Sequence, residues 1–142
     1  MITGELKSTI DRVWDAFWSG GISNPLEVIE QITYLLFIRR LEDLQTIAEK
    51  KAQLTGVIES PIYLPHQQHL RWKRFKQLAP QEMYDTVSKD VFPFLHGLGD
   101  QFGGDGSTFG DHMRDARFTI PTPALLTRVV DMLDEIPMEK RD

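Results

Sequence analysis

Three strings in this 142-residue sequence carry residue types that could do chemistry. Arg71-Trp72-Lys73-Arg74-Phe75-Lys76 puts four cations around two aromatic rings. Such a string can neutralise phosphates while its rings stack on bases or anchor the segment. Phe102-Gly103-Gly104-Asp105-Gly106 is a glycine string of the kind that lets a backbone approach a cofactor such as S-adenosylmethionine closely. His66 and His69 stand at a spacing that could bring two imidazoles to one metal ion.

Each string has a competing structural explanation. In the basic string, Trp72, Phe75 and Leu78 share a helical face and can pack into a core, leaving solvated cations outside. The candidate DNA-contacting residues are therefore Arg71, Trp72, Lys73, Arg74 and Lys76, with core packing as the alternative for the aromatics. The glycine string needs a buried strand before it and a helix directly after it to work as a cofactor cradle. Leu95-His96-Gly97-Leu98-Gly99-Asp100 makes no strand, and Ser107 to Gly110 continues as loop, so a surface loop is expected and no cofactor-binding residue is assigned. A metal site needs three or four ligands, and the nearest acidic residue, Glu59, lies across two prolines from His66 and His69. His96 and His112 stand alone, and no Ser–His–Asp or paired-carboxylate arrangement follows from spacing. No catalytic and no metal-binding residue is assigned.

The formal charge of −5 argues at first against a polyanionic partner, but its distribution matters more than its sum. Residues 1–70 carry 6 basic and 9 acidic groups, and residues 77–142 carry 6 basic and 12 acidic ones. Residues 71–76 carry four basic groups and no acidic one, a single basic island in an acidic chain. There is no cysteine, which excludes disulfides and thiolate chemistry and points to a reducing, cytoplasmic setting. Met1 to Lys7 mixes polar and charged groups, with neither a signal peptide nor a membrane-spanning run.

The elements that must position these residues read as helices. Leu6, Ile10, Val13, Trp14 and Phe17 recur at three- and four-residue steps, predicting a helix from about Glu5 to Trp18 that Ser19-Gly20-Gly21 ends. Asn24 followed by Pro25, with Glu27 three residues on, is a helix start. The stretch that follows is apolar over a wide arc, the pattern of a central bundle helix, and is expected to close at Thr55-Gly56. Arg39 and Arg40 on it are expected to pair with acidic neighbours such as Glu42 and Asp43, or with a partner subunit. Residues 57–70 read as a connector and Leu70 to Leu78 as a short helical segment. A helix follows from about Gln81 to Leu95, kinked or shortened by Pro93. Gly97 to Gly110 reads as a long loop, Phe118-Thr119-Ile120 as extended ahead of Pro121, and Thr122-Pro123 as the start of a last helix ending before Pro137. The expected fold is all-α, a bundle of about five helices with a long Gly-rich loop, forming a single domain over 1–142.

This organisation resembles a known family. Ile10-Asp11-Arg12-Val13-Trp14-Asp15-Ala16-Phe17-Trp18, Asn24-Pro25-Leu26-Glu27 and Tyr34-Leu35-Leu36-Phe37-Ile38-Arg39-Arg40-Leu41 are similar to the opening of type I restriction–modification methylase (modification) subunits. Arg71-Trp72 with Phe75, Val91-Phe92-Pro93-Phe94-Leu95, and Phe118-Thr119-Ile120-Pro121 leading into Leu125 to Ile136 continue the likeness in order. The resemblance implies an N-terminal domain ahead of a catalytic domain that is expected to follow residue 142. The full subunit would transfer a methyl group from S-adenosylmethionine to adenine in double-stranded DNA. It would act with a second modification subunit and a specificity subunit, joined by a restriction subunit in the larger complex. The N-terminal domain would help close that assembly around the duplex and contact its neighbours. The catalytic Asn/Asp-Pro-Pro-Tyr/Phe loop is missing, since Asn24-Pro25-Leu26 lacks the second proline and the aromatic. No catalytic residue carries over, and no cofactor is expected in residues 1–142. Three readings follow: an interaction and DNA-clamp module, a purely protein-binding assembly domain, and a small S-adenosylmethionine-binding protein using the Phe102–Gly106 loop.

Overall fold

The computed structural model describes residues 3–58, 61–103 and 113–136. Among the described residues six α-helices with both ends defined run in chain order: α1 (Thr3–Ser19), α2 (Pro25–Thr55), α3 (Trp72–Phe75), α4 (Pro80–Thr86), α5 (Phe92–Gly103) and α6 (Pro123–Asp134). A 3-10 helix, Pro65–Leu70, leads into α3, and a π-helical turn, Val87–Val91, joins α4 to α5. Among the described residues there is no strand, so the architecture is all-α as the periodicities require. No described helix is long and apolar enough to cross a membrane.

The ends of α1 and α2 follow from local chemistry. Gly21 takes φ 105°, a left-handed conformation that a side chain disfavours. It lets Ile22 N donate to Phe17 O at 3.1 Å and Gly21 N to Trp18 O at 3.3 Å, the double closure that satisfies the last carbonyls of a helix. Ile22 is buried beside the helix it terminates. Asn24 Oδ1 accepts from Leu26 N at 3.0 Å, with Pro25 in the first turn, and α2 closes where Gly56 turns left-handed at φ 85°.

The core is built from one face of each helix. Val13, Ala16 and Phe17 of α1 meet Leu125, Leu126 and Val129 of α6, which also packs on α4. The approach of α1 to α6 is close: a Cβ at Gly20 would stand 2.6 Å from a Leu125 methyl. Val28, Leu35 and Ile38 bring α2 onto the same core.

Two expectations about the second half need correcting. The helix predicted to stop near Leu95 continues to Gly103, so Gly97 to Gly103 is helical rather than loop. Pro93 does not break it, because the π-helical turn lies directly before the proline. Phe92 N donates to Val87 O, and the widened turn takes up a ring that would otherwise press on the carbonyl four residues back. Residues 104–110 of the expected Gly-rich loop lie outside the described residues.

The extended segment ahead of α6 is held by a side chain. Gln31, 1% exposed, donates from Nε2 to Arg117 O at 2.8 Å and accepts at Oε1 from Thr119 N at 3.2 Å. Its amide thus acts as a short partner strand for a backbone that would otherwise bury unpaired groups. Tyr84 adds a bond from its hydroxyl to Ile120 O at 2.8 Å.

Candidate functional site

The basic island lies at the junction of α2, α3 and α6. Leu64 ends an extended stretch, Pro65 starts the 3-10 helix, and Arg71 caps the single turn of α3 by accepting Arg74 N at 2.9 Å and Phe75 N at 3.0 Å. With so short a helix, Arg71 and Trp72 point to two different neighbours, α2 and α6, while Lys73 and Arg74 point to solvent.

Arg71 is buried, with 2% of its surface exposed, and every N–H of its guanidinium is occupied. Nε and Nη2 grip both oxygens of Glu42 at 3.0 and 2.6 Å. Nη1 donates to Glu49 Oε2 at 2.7 Å and to Gln68 Oε1 at 2.9 Å, and Nη2 also reaches Glu49 Oε1 at 3.3 Å. A forked, two-bond grip on a carboxylate is the geometry only arginine supplies.

The acceptors are themselves fixed. Glu42 and Glu49 stand two helical turns apart on one side of α2, with Gln45 between them. Gln45 donates to Glu49 at 3.3 Å and accepts Ile62 N and Tyr63 N at 2.9 and 3.3 Å, tying the connector to the helix. Thr46 donates to Glu42 at 3.2 Å, and Gln68 donates to Leu64 O at 3.2 Å. The Tyr63 ring lies 6.0 Å from the guanidinium carbon and stacks on Phe94 at 5.1 Å. Burial pushes the Tyr63 phenol well above its ordinary range.

Trp72 is equally enclosed, at 2% exposure. Its indole N–H donates to Asp134 Oδ1 at 2.7 Å, and its ring meets Phe75 edge-on at 5.4 Å. Lys76 closes the same carboxylate from the other side, Nζ to Oδ2 at 3.0 Å. Of the five candidate DNA-contacting residues, then, Arg71 and Trp72 face inward and Lys76 is half-buried on Asp134. Lys73 and Arg74 alone are exposed. The arrangement brings the island together as a clasp between helices, with two cations on its outer side.

Two carboxyls of this clasp are shifted in the same direction. Glu49 is held below its ordinary 4.5, chiefly by its hydrogen bond from Arg71. Burial pushes Asp134 up, but the Trp72 indole and Lys76 outweigh it and leave the group below its ordinary 3.8. A carboxyl with a depressed folded-state value stabilises the fold fully above its unfolded-state value. That contribution is lost as pH falls through the folded-state value. These two groups therefore predict a melting temperature unaffected by them above about pH 5 and falling below it. Melting followed by circular dichroism across pH 3–7 checks this, and a flat profile down to pH 3 would remove the clasp from the stability account.

The other chemistry-bearing residues do not converge. His66 and His69 are exposed on the 3-10 helix, and among the described residues no three His, Cys, Asp or Glu side chains could hold a metal ion. His96 donates from Nε2 to Ala116 O, a bond that helps hold the segment after the glycine region. His112 lies outside the described residues, as do Gly104 to Gly106 of the glycine string, while Phe102 and Gly103 belong to the end of α5. Arg39 and Glu42 do not pair as expected. Arg39 donates to Leu133 O at 2.5 Å, satisfying a carbonyl at the end of α6, and Glu42 belongs to Arg71.

The acids that hold Arg71 were not paired with it from sequence: the spacing offers Glu42 only as a neighbour for Arg39 and Arg40, and Glu49 was not singled out. A signal existed: Leu35, Ile38, Glu42 and Gln45 continue one buried row at steps of three and four, and the half-buried Glu49 is next on it. Polar residues on a buried row demand a buried partner, and Arg71 is that partner.

A family model described as HsdM N-terminal domain matches residues 6–133, nearly the whole chain. No curated protein and no solved structure matches the chain. The chain belongs to the HsdM N-terminal domain family, the N-terminal domain of the modification subunit of type I restriction–modification systems.

Proposed function

We propose that this HsdM N-terminal domain is an assembly module. It joins the modification subunit to its specificity subunit and to a second modification subunit, and its direct contact with DNA is limited to Lys73 and Arg74. The full subunit would methylate adenine in DNA with S-adenosylmethionine, on a catalytic domain beyond these residues. The observation that carries this reading is the inward turn of the basic island: Arg71, Trp72 and Lys76 are committed to Glu42, Glu49 and Asp134. A guanidinium with five occupied donors has none left for a phosphate. Two exposed neighbouring cations favour the second reading, a weak clamp on the duplex, because each can neutralise one phosphate.

Charge reversal tests the DNA contact and the assembly role independently. Lys73→Glu with Arg74→Glu is expected to abolish the weak, salt-sensitive binding of the domain to labelled duplex DNA. The same pair is expected to leave assembly of the modification complex unchanged, as read by its mass in solution. Tight DNA binding that survives the reversal would defeat the limited-contact reading. Loss of assembly with the reversal would place the subunit contacts on the island instead.

A further inference from the structure

We draw no further inference here: the strongest candidate, the apolar groove between the connector and α5 lined by Pro61, Ile62, Leu64, Phe94 and Leu98, carries nothing because nothing in the structure shows what covers it.

Discussion

Replacing Arg71 by Met is expected to destabilise the domain by about 3–5 kcal/mol, the cost of breaking a buried ion pair from one side. The reason is in what remains. Glu42 and Glu49 would face each other across the vacated space with their charges uncompensated, Glu42 almost wholly buried beside Gln45. For a chain of this size the loss corresponds to a fall in melting temperature on the order of 10–15 °C. Arg71→Lys keeps the charge but cannot fork onto both oxygens of Glu42 while reaching Glu49 and Gln68, so it should fall between the wild type and Arg71→Met. Urea unfolding with unchanged m-values would give these differences directly. A loss below about 1 kcal/mol for Arg71→Met would mean that the clasp is loose and solvated.

Trp72→Ala is expected to cost a comparable amount, about 3–5 kcal/mol, because it empties a fully packed position and removes the indole bond to Asp134. Lys73→Ala and Arg74→Ala, one and two residues away, should each stay within about 0.5 kcal/mol, as solvated surface positions do. The contrast separates a core aromatic from a nucleic-acid stacking platform. A stacking Trp72 would lose about 1–3 kcal/mol of DNA affinity on truncation and little stability. The buried Trp72 should show the reverse in paired unfolding and DNA-binding measurements.

Much of the fold was legible in the sequence because its signals are local. Asn24-Pro25, Thr122-Pro123 and Gly20-Gly21 state where helices begin and end through backbone chemistry that needs no distant partner. Pro93 was misleading for a physical reason: a proline breaks an α-helical turn, but a π-helical turn placed before it absorbs the ring. Glycine content around Gly97 suggested loop, yet the turns before it, buried at Val91, Phe92 and Leu95, carry the helix through.

The site was harder, because its meaning depends on pairing across 29 residues between Glu42 and Arg71 and across 62 between Trp72 and Asp134. A run of Arg, Trp, Lys and Arg describes a DNA-facing patch and an inward clasp equally well until the neighbouring helices are placed. Gln31 shows the same limit. As a polar residue among apolar ones it suggested nothing alone, and its role appears only when residues 117–119 run beside it. The family resemblance, by contrast, was legible along nearly the whole chain, since it rests on order and type and not on contacts.

The central claim is that the island keeps only two of its four cations for an outside partner. The salt dependence of DNA binding by the domain measures this most directly, because the slope of log affinity against log salt is about −0.9 for each phosphate neutralised. The clasp predicts a slope no steeper than about −2, flattening when Lys73 and Arg74 are reversed. A slope near −4 would contradict it, since Arg71 and Lys76 would then have left Glu42, Glu49 and Asp134 to meet the duplex.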